Sequence, residues 1–371
     1  MFADCIIKVR NKMVDSAKDS SAKSGSGRLL LPDVLKGVAV LLMIQVHLME
    51  LFAQPDIYNS TWGKISLFLG GPPAAPVFMA VMGYFLAISG GGLVSFIGRG
   101  IRLIVYGLLL NAGLNMHLFY HIFTGQSSLS PLPYLFGVDI LLLAGLSIIV
   151  IALLRPILSE NVFLWSIVML LVASVTTFLP AGDIHNNWSD YLLAWFYKAT
   201  WWSYFPLFPW LAYPIAGYCF NLIITQFGRT NIPRTKFSLA ALAMLIPLAV
   251  FFPFGFKVTT DLPAYYHHSV SYFIWALLFV GVWVTMFFLL IKYLPENPVM
   301  KYLKWTGLNV TAFYVFQWLI IGNLATTLYK SVSAFQLILW FTGITFITSL
   351  LVWIYRIALE KFRNKKKQAI L

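Results

Sequence analysis

Charge is scarce in this chain, and the little it has leans one way. Asp, Glu, Lys and Arg supply 11% of the 371 residues, against roughly 25% in a soluble domain. A water-soluble globule is excluded on that ground. Cysteine is almost absent: Cys5 and Cys219 are the two, one near the start and one in an apolar run. They give no disulfide framework and no metal-ligand cluster, and they leave the redox compartment open. No apolar stretch with a small-residue cleavage site precedes residue 29, so no cleavable signal peptide is expected. The formal net charge is +13, yet basic residues lie between apolar runs and at the ends. Nothing interleaves them with aromatics as a nucleic-acid groove requires, so nucleic acid is not an expected partner.

What is present is apolar surface. Hydrophobic residues make up 60% and aromatics 17%, with mean hydropathy +0.80, more than a core of this size can hide from water. Lipid is therefore the solvent, and length is counted in spans of about 20 residues. Ten apolar segments fall near 34–53, 74–94, 101–120, 133–154, 162–180, 204–225, 237–255, 270–291, 305–327 and 335–357. The expected fold is all-α: a polytopic integral membrane protein with about ten transmembrane helices and both termini cytoplasmic. Residues 1–27 read as a flexible basic tail, 28–357 as the transmembrane domain and 358–371 as a second basic tail.

Orientation follows from Lys and Arg. Only Lys64, Lys198, Lys257 and Lys330 fall outside, so 26 minus 4 leaves 22 on the cytoplasmic side, a bias that sets topology. The plasma membrane is the expected location. No internal repeat of the transporter kind is visible. Exterior loops collect Asp183, His185, Asp190, Asp261, His267 and His268 among many Trp and Tyr. These aromatics suit an interfacial belt, and their faces also suit sugar rings.

Ionisable groups inside lipid are costly and mark function. His47 lies about 13 residues into the first span, roughly 20 Å from its cytoplasmic end at ~1.5 Å per residue. Asp139, some 6 residues inside the fourth span, and Gln317, some 12 into the ninth, fall at similar depth. Glu50 is three residues beyond His47, on the same helix face. An imidazole with a carboxylate on its other nitrogen is a working general base, or else a hydrogen-bonded group that joins helices. His117, His121, His267 and His268 sit at helix ends or in loops, as solvated or interfacial groups or at a substrate mouth. No third partner makes the last two zinc ligands. On the inner side Arg99 and Arg102 are spaced i, i+3, with Arg28 and Lys36 flanking the first span. They suit the phosphates of a nucleotide-like donor, or equally lipid headgroups. The glycines at 90–92 have no phosphate-loop spacing.

Several stretches carry a resemblance. RLLLPDVLKGVAVLLMIQVH, ending at His47, resembles the opening of the transmembrane acyltransferase superfamily. FIGRGIRLIVYGLLLN (96–111) resembles its Arg-x-x-Arg third helix. SYFPLFPWLAYPIAGY (203–218) and GVDILLLAGLSIIV (137–150) are similar to the branch that contains heparan-α-glucosaminide N-acetyltransferase and its bacterial relatives. The likeness covers about residues 28–357. It implies a ten-helix enzyme that takes an acyl group, with acetyl the expected one, from cytoplasmic acyl-CoA to an extracytoplasmic acceptor, an amino sugar or other glycan. Carried over by position, His47 is the base, Arg99 and Arg102 contact the donor, and Arg28 and Asp33 form part of the inner vestibule. The expected site further includes Asp139 or Glu50 assisting His47 electrostatically, Lys36 on the donor side, and Asn111, His117 and Gln317 on the acceptor side. Lys36 stands where Arg is usual, and Gln317 where many relatives place His. The competing readings are a proton-coupled secondary transporter using His47, Asp139 and Glu50, and a non-catalytic binder of a lipid-linked saccharide. Membrane lipid is an expected partner, no metal is, and an oligomer is compatible with the sequence.

Overall fold

A computed structural model describes residues 30–179, 187–227, 243–294 and 297–368. Arg28, the 1–27 tail, Asp183, His185, Arg229, Arg234, Lys236 and the start of the 237–255 segment lie outside the described residues. Within them the chain is helical, with isolated bridges Ala53–Val332 and Val138–Ser203 in place of strands. The protein is an all-α polytopic membrane protein. Eight described helices are long and apolar enough to cross a membrane. The expected ten differ from this at two places: the 162–180 segment forms a shorter apolar helix, and the 237–255 segment is described only from residue 243.

The principal helices are α1 (Leu30–Leu51), α2 (Thr61–Gly70), α3 (Ala75–Ile88), α4 (Leu93–Leu114), α5 (Met116–Phe123), α6 (Ile140–Leu158), α7 (Val162–Phe178), α8 (Ala212–Phe227), α9 (Val270–Tyr293), α10 (Pro298–Leu308), α11 (Val310–Leu328) and α12 (Ala334–Gln368). Their ends follow local chemistry. Asp139 and Asn161 cap α6 and α7 by accepting from Leu142 N and Leu164 N. Asn297 caps α10, with Pro298 at its first position, where the missing N–H costs nothing. α3 stops at Ile88, short of the expected 94, because Gly90–Gly92 opens a turn with Gly91 at φ 136. α12 continues to Gln368, into the stretch read as the second basic tail.

Small residues set the close packing that lipid-embedded helices depend on. A Cβ placed on Gly307 of α10 would lie 1.7 Å from the Asp33 carbonyl oxygen of α1. The same crossing holds Gly37 against the Leu303 carbonyl, so α1 and α10 touch backbone to backbone. Two ends result. One, here the basic end, gathers Lys36, Arg99 and Arg155. At the opposite end the loops after α1 and α11 pair, with Lys330 N donating to Leu51 O at 2.9 Å.

Candidate active site

α1 delivers His47 17 residues from its start at Leu30, roughly 25 Å along the axis at ~1.5 Å per residue. The imidazole is half-buried and is held from α11. His47 Nδ1 faces Gln317 Oε1 at 3.3 Å. An amide oxygen only accepts, so Nδ1 carries the proton and Nε2 keeps its lone pair. Trp318 stacks on the ring, centroids 4.0 Å apart and planes tilted 33°. Gln317 is fully buried, and its Nε2 has no hydrogen-bond partner.

Asp139 stands at the N-cap of α6 and not inside the helix as expected. Pro131, Pro133 and Gly137 break the apolar run before it, leaving a separate short helix at Leu132–Leu135. The carboxylate accepts from Leu142 N at 3.0 Å and from the Tyr314 hydroxyl at 3.3 Å. Gly107 leaves room for it, since a Cβ there would come within 3.2 Å of Asp139 Oδ1. Tyr314, Gln317 and Trp318 occupy one face of α11 by their i, i+3, i+4 spacing, so this helix grips Asp139 and His47 together. Asn111, expected on the acceptor side, has both amide hydrogens engaged: Nδ2 donates to Leu135 O at 3.1 Å and Gly137 O at 2.8 Å. It clamps the turn that presents Asp139.

Glu50 follows the expected helix face yet serves other partners. Near the end of α1 it meets the loops, where the Tyr266 hydroxyl donates to it and Lys330 attracts it. Lys330 Nζ lies 3.9 Å from the Tyr58 ring centroid, a cation–π contact. Burial draws the Lys330 ammonium below the usual lysine range, opposed by Glu50. The orienting partner of His47 is therefore an amide, not a carboxylate. Three other histidines hold hydrogen bonds within the protein. His268 donates Nδ1–H to Tyr265 O at 2.8 Å and accepts from the Tyr213 hydroxyl at 3.1 Å; burial lowers it to about 4. His117 and His121 face each other through their Nε2 atoms at 3.2 Å, and His117 N donates to Asn323 Oδ1.

At the basic end Asp33, fully buried, forms an ion pair with Lys36 at 2.8 Å, and Lys36 Nζ sits 5.2 Å from the Phe85 centroid. Arg99 lies 5.3 Å from the Phe96 ring, while Arg102 bonds back to Gly98 O at 3.1 Å and is exposed. Arg155, which the sequence presents only as a topology charge, is also 5.3 Å from Phe96. Its guanidinium donates to Ser89 O and bonds the Tyr218 hydroxyl. Two guanidiniums on one aromatic ring, with Lys36 on the same end, fit an anionic nucleotide better than a single cation would. Among the described residues no trio of His, Cys, Asp or Glu is gathered for a metal.

Residues 28–270 match the family model described as heparan-α-glucosaminide N-acetyltransferase, catalytic. No curated protein and no solved structure matches the chain. The matched stretch contains His47, Glu50, Arg99, Asp139 and Arg155, and it ends before Gln317 and Lys330.

Proposed function

Because the chain belongs to the heparan-α-glucosaminide N-acetyltransferase catalytic family, we propose that it is a plasma-membrane enzyme that moves an acetyl group from cytoplasmic acetyl-CoA to an extracytoplasmic amino sugar or other glycan. One observation carries this reading: Gln317 Oε1 accepts a hydrogen bond from Nδ1–H of His47 at 3.3 Å, which leaves Nε2 free to act as a base. The excess of Lys and Arg assigns the basic end to the cytoplasm. Arg155, Arg99 and Lys36 then receive the phosphates of the donor there, and Glu50, Tyr266 and Lys330 meet the acceptor at the other end.

Nε2 of His47 removes the proton from the acceptor amine or hydroxyl as that atom bonds to the acetyl carbon. The carbon–sulfur bond breaks, and the proton passes from Nε2 to the departing sulfur, which leaves as the thiol. His47 ends as it began. Asp139 accepts from Leu142 N and from Tyr314, the latter on the helix α11 that also carries Gln317, and supports the site from there.

The test uses detergent-purified protein, radiolabelled acetyl-CoA and glucosamine. General-base catalysis supplies about 10²–10⁴-fold, so His47→Ala is expected to lose at least 100-fold in transfer with unchanged helical circular dichroism. Near-normal transfer by that variant removes His47 from the chemistry. A native protein that binds acetyl-CoA and acetylates no amine or hydroxyl acceptor is a binder and not an enzyme.

A further inference from the structure

A pocket of about 280 Å³ opens at the end of the bundle opposite the basic cluster, in the loops that flank α6 and α8. Tyr134, Tyr191, Trp201, Ser130 and Pro133 line it, and no lining residue is charged. The Tyr134 and Trp201 rings meet at 5.2 Å and 65°, giving two walls. Tyr191 is buried, and Ser130 hydrogen-bonds its hydroxyl. Trp201 is 55% exposed, so a flat aromatic face is open to whatever enters.

The cavity is held in shape. Val138 N donates to Trp202 O at 2.8 Å, and Phe205 N returns a bond to Val138 O at 3.0 Å. Ser203 Oγ ties the same strap to Ala194 O. Beneath Tyr191 the buried Asp190–Lys198 ion pair braces the short helix Trp188–Phe196. An aromatic side chain that only rests among lipid headgroups needs neither a concave wall nor such bracing. Aromatic faces with hydroxyls and no charge suit a neutral polyhydroxylated ring, whose C–H face stacks while its hydroxyls bond the rim. The volume lies below the about 300–1,000 Å³ of sites for drug-sized ligands, which is room for one ring and not for a chain. The strap also adjoins the proposed site: Val138, bonded to Trp202 O and Phe205 N, directly precedes Asp139.

We propose that this pocket is a second sugar subsite, holding the neutral saccharide unit next to the one that is acetylated, with Trp201 as its stacking platform. The inference rests on the acetyl-transfer reading, since it takes an oligosaccharide acceptor for granted. Initial rates are measured for glucosamine and for glucosaminyl-α-1,4-glucose. The native protein is expected to show the lower KM for the disaccharide. Trp201→Ala is expected to raise the disaccharide KM about tenfold and leave glucosamine kinetics unchanged, while Trp201→Phe keeps most of the preference. Equal effects on both acceptors, or none on either, overturn the subsite. If the native protein acetylates neither sugar, the acetyl-transfer reading fails on its own. The pocket is then judged by disaccharide binding, expected in the native protein and lost in Trp201→Ala; no binding overturns it.

Discussion

Replacing Gln317 by Leu keeps an apolar-compatible side chain of similar size in a fully buried place and removes the one oxygen that accepts from His47 Nδ1. A buried hydrogen bond contributes about 1 kcal/mol net, and a stranded buried donor costs about 1–3 kcal/mol. The imidazole escapes that cost by carrying its proton on Nε2, where it blocks the base. Regaining the productive tautomer then costs about 1–3 kcal/mol, and with 1.36 kcal/mol per factor of ten, kcat is expected to fall about 5- to 150-fold. KM for acetyl-CoA stays in place, because the donor cations sit at the other end of α1. Gln317→Glu separates orientation from acidity. Its carboxylate accepts the same proton and also stabilises the imidazolium, so the base is lost to protonation at a higher pH. The acid limb of the pH–rate profile moves up while the plateau rate stays near native. Initial rates with radiolabelled acetyl-CoA between pH 5 and 9 check both. A Gln317→Leu kcat within twofold of native, together with a superimposable Gln317→Glu profile, refutes the assignment.

Two more outcomes follow from the ends of the bundle. Arg155→Ala is expected to raise the acetyl-CoA KM about tenfold with a smaller change in kcat, and Arg99→Ala to do the same more weakly because Arg99 is exposed; unchanged KM values in both would make these arginines headgroup contacts. His268 gives a pH-dependent stability, because burial holds it neutral down to about 4 against an ordinary 6.5. The native state binds fewer protons than the unfolded one between those values, so stability is complete above pH 6.5 and falls as pH drops toward 4. From pH 7.5 to 5 the loss is about 2 kcal/mol. Thermal unfolding followed by fluorescence should show a Tm drop over that range that shrinks in His268→Gln; a pH-independent native Tm would contradict it.

The membrane class and the helix positions were legible because they depend on local properties: apolar runs, capping residues and the spread of Lys and Arg. Asp139 was expected some six residues inside a helix and stands at the N-cap of α6, since averaging hydropathy over a window hides the Pro131, Pro133 and Gly137 signals that end one helix and start another. The i, i+3 relation of His47 and Glu50 was sound on its helix. Periodicity names a face and never says which neighbour meets it, and Glu50 lies one turn nearer the loops that bring Tyr266 and Lys330. Arg155 looked like any other inside charge, because stacking on Phe96 depends on how α4 and α6 cross.

Gln317 is the most instructive case, because the sequence marks it as a loss of a titratable group. It lies 270 positions from His47, a pairing no local pattern can reveal. Once the two are in contact, the exchange of an imidazole for an amide has a physical consequence of its own. A second imidazole at that distance could hold the Nδ1 proton itself, and the pair would share protons with a state that depends on pH. An amide cannot take that proton. It accepts from Nδ1–H in one tautomer of His47, so under the proposed mechanism an amide at this place is compatible with Nε2 acting as the base.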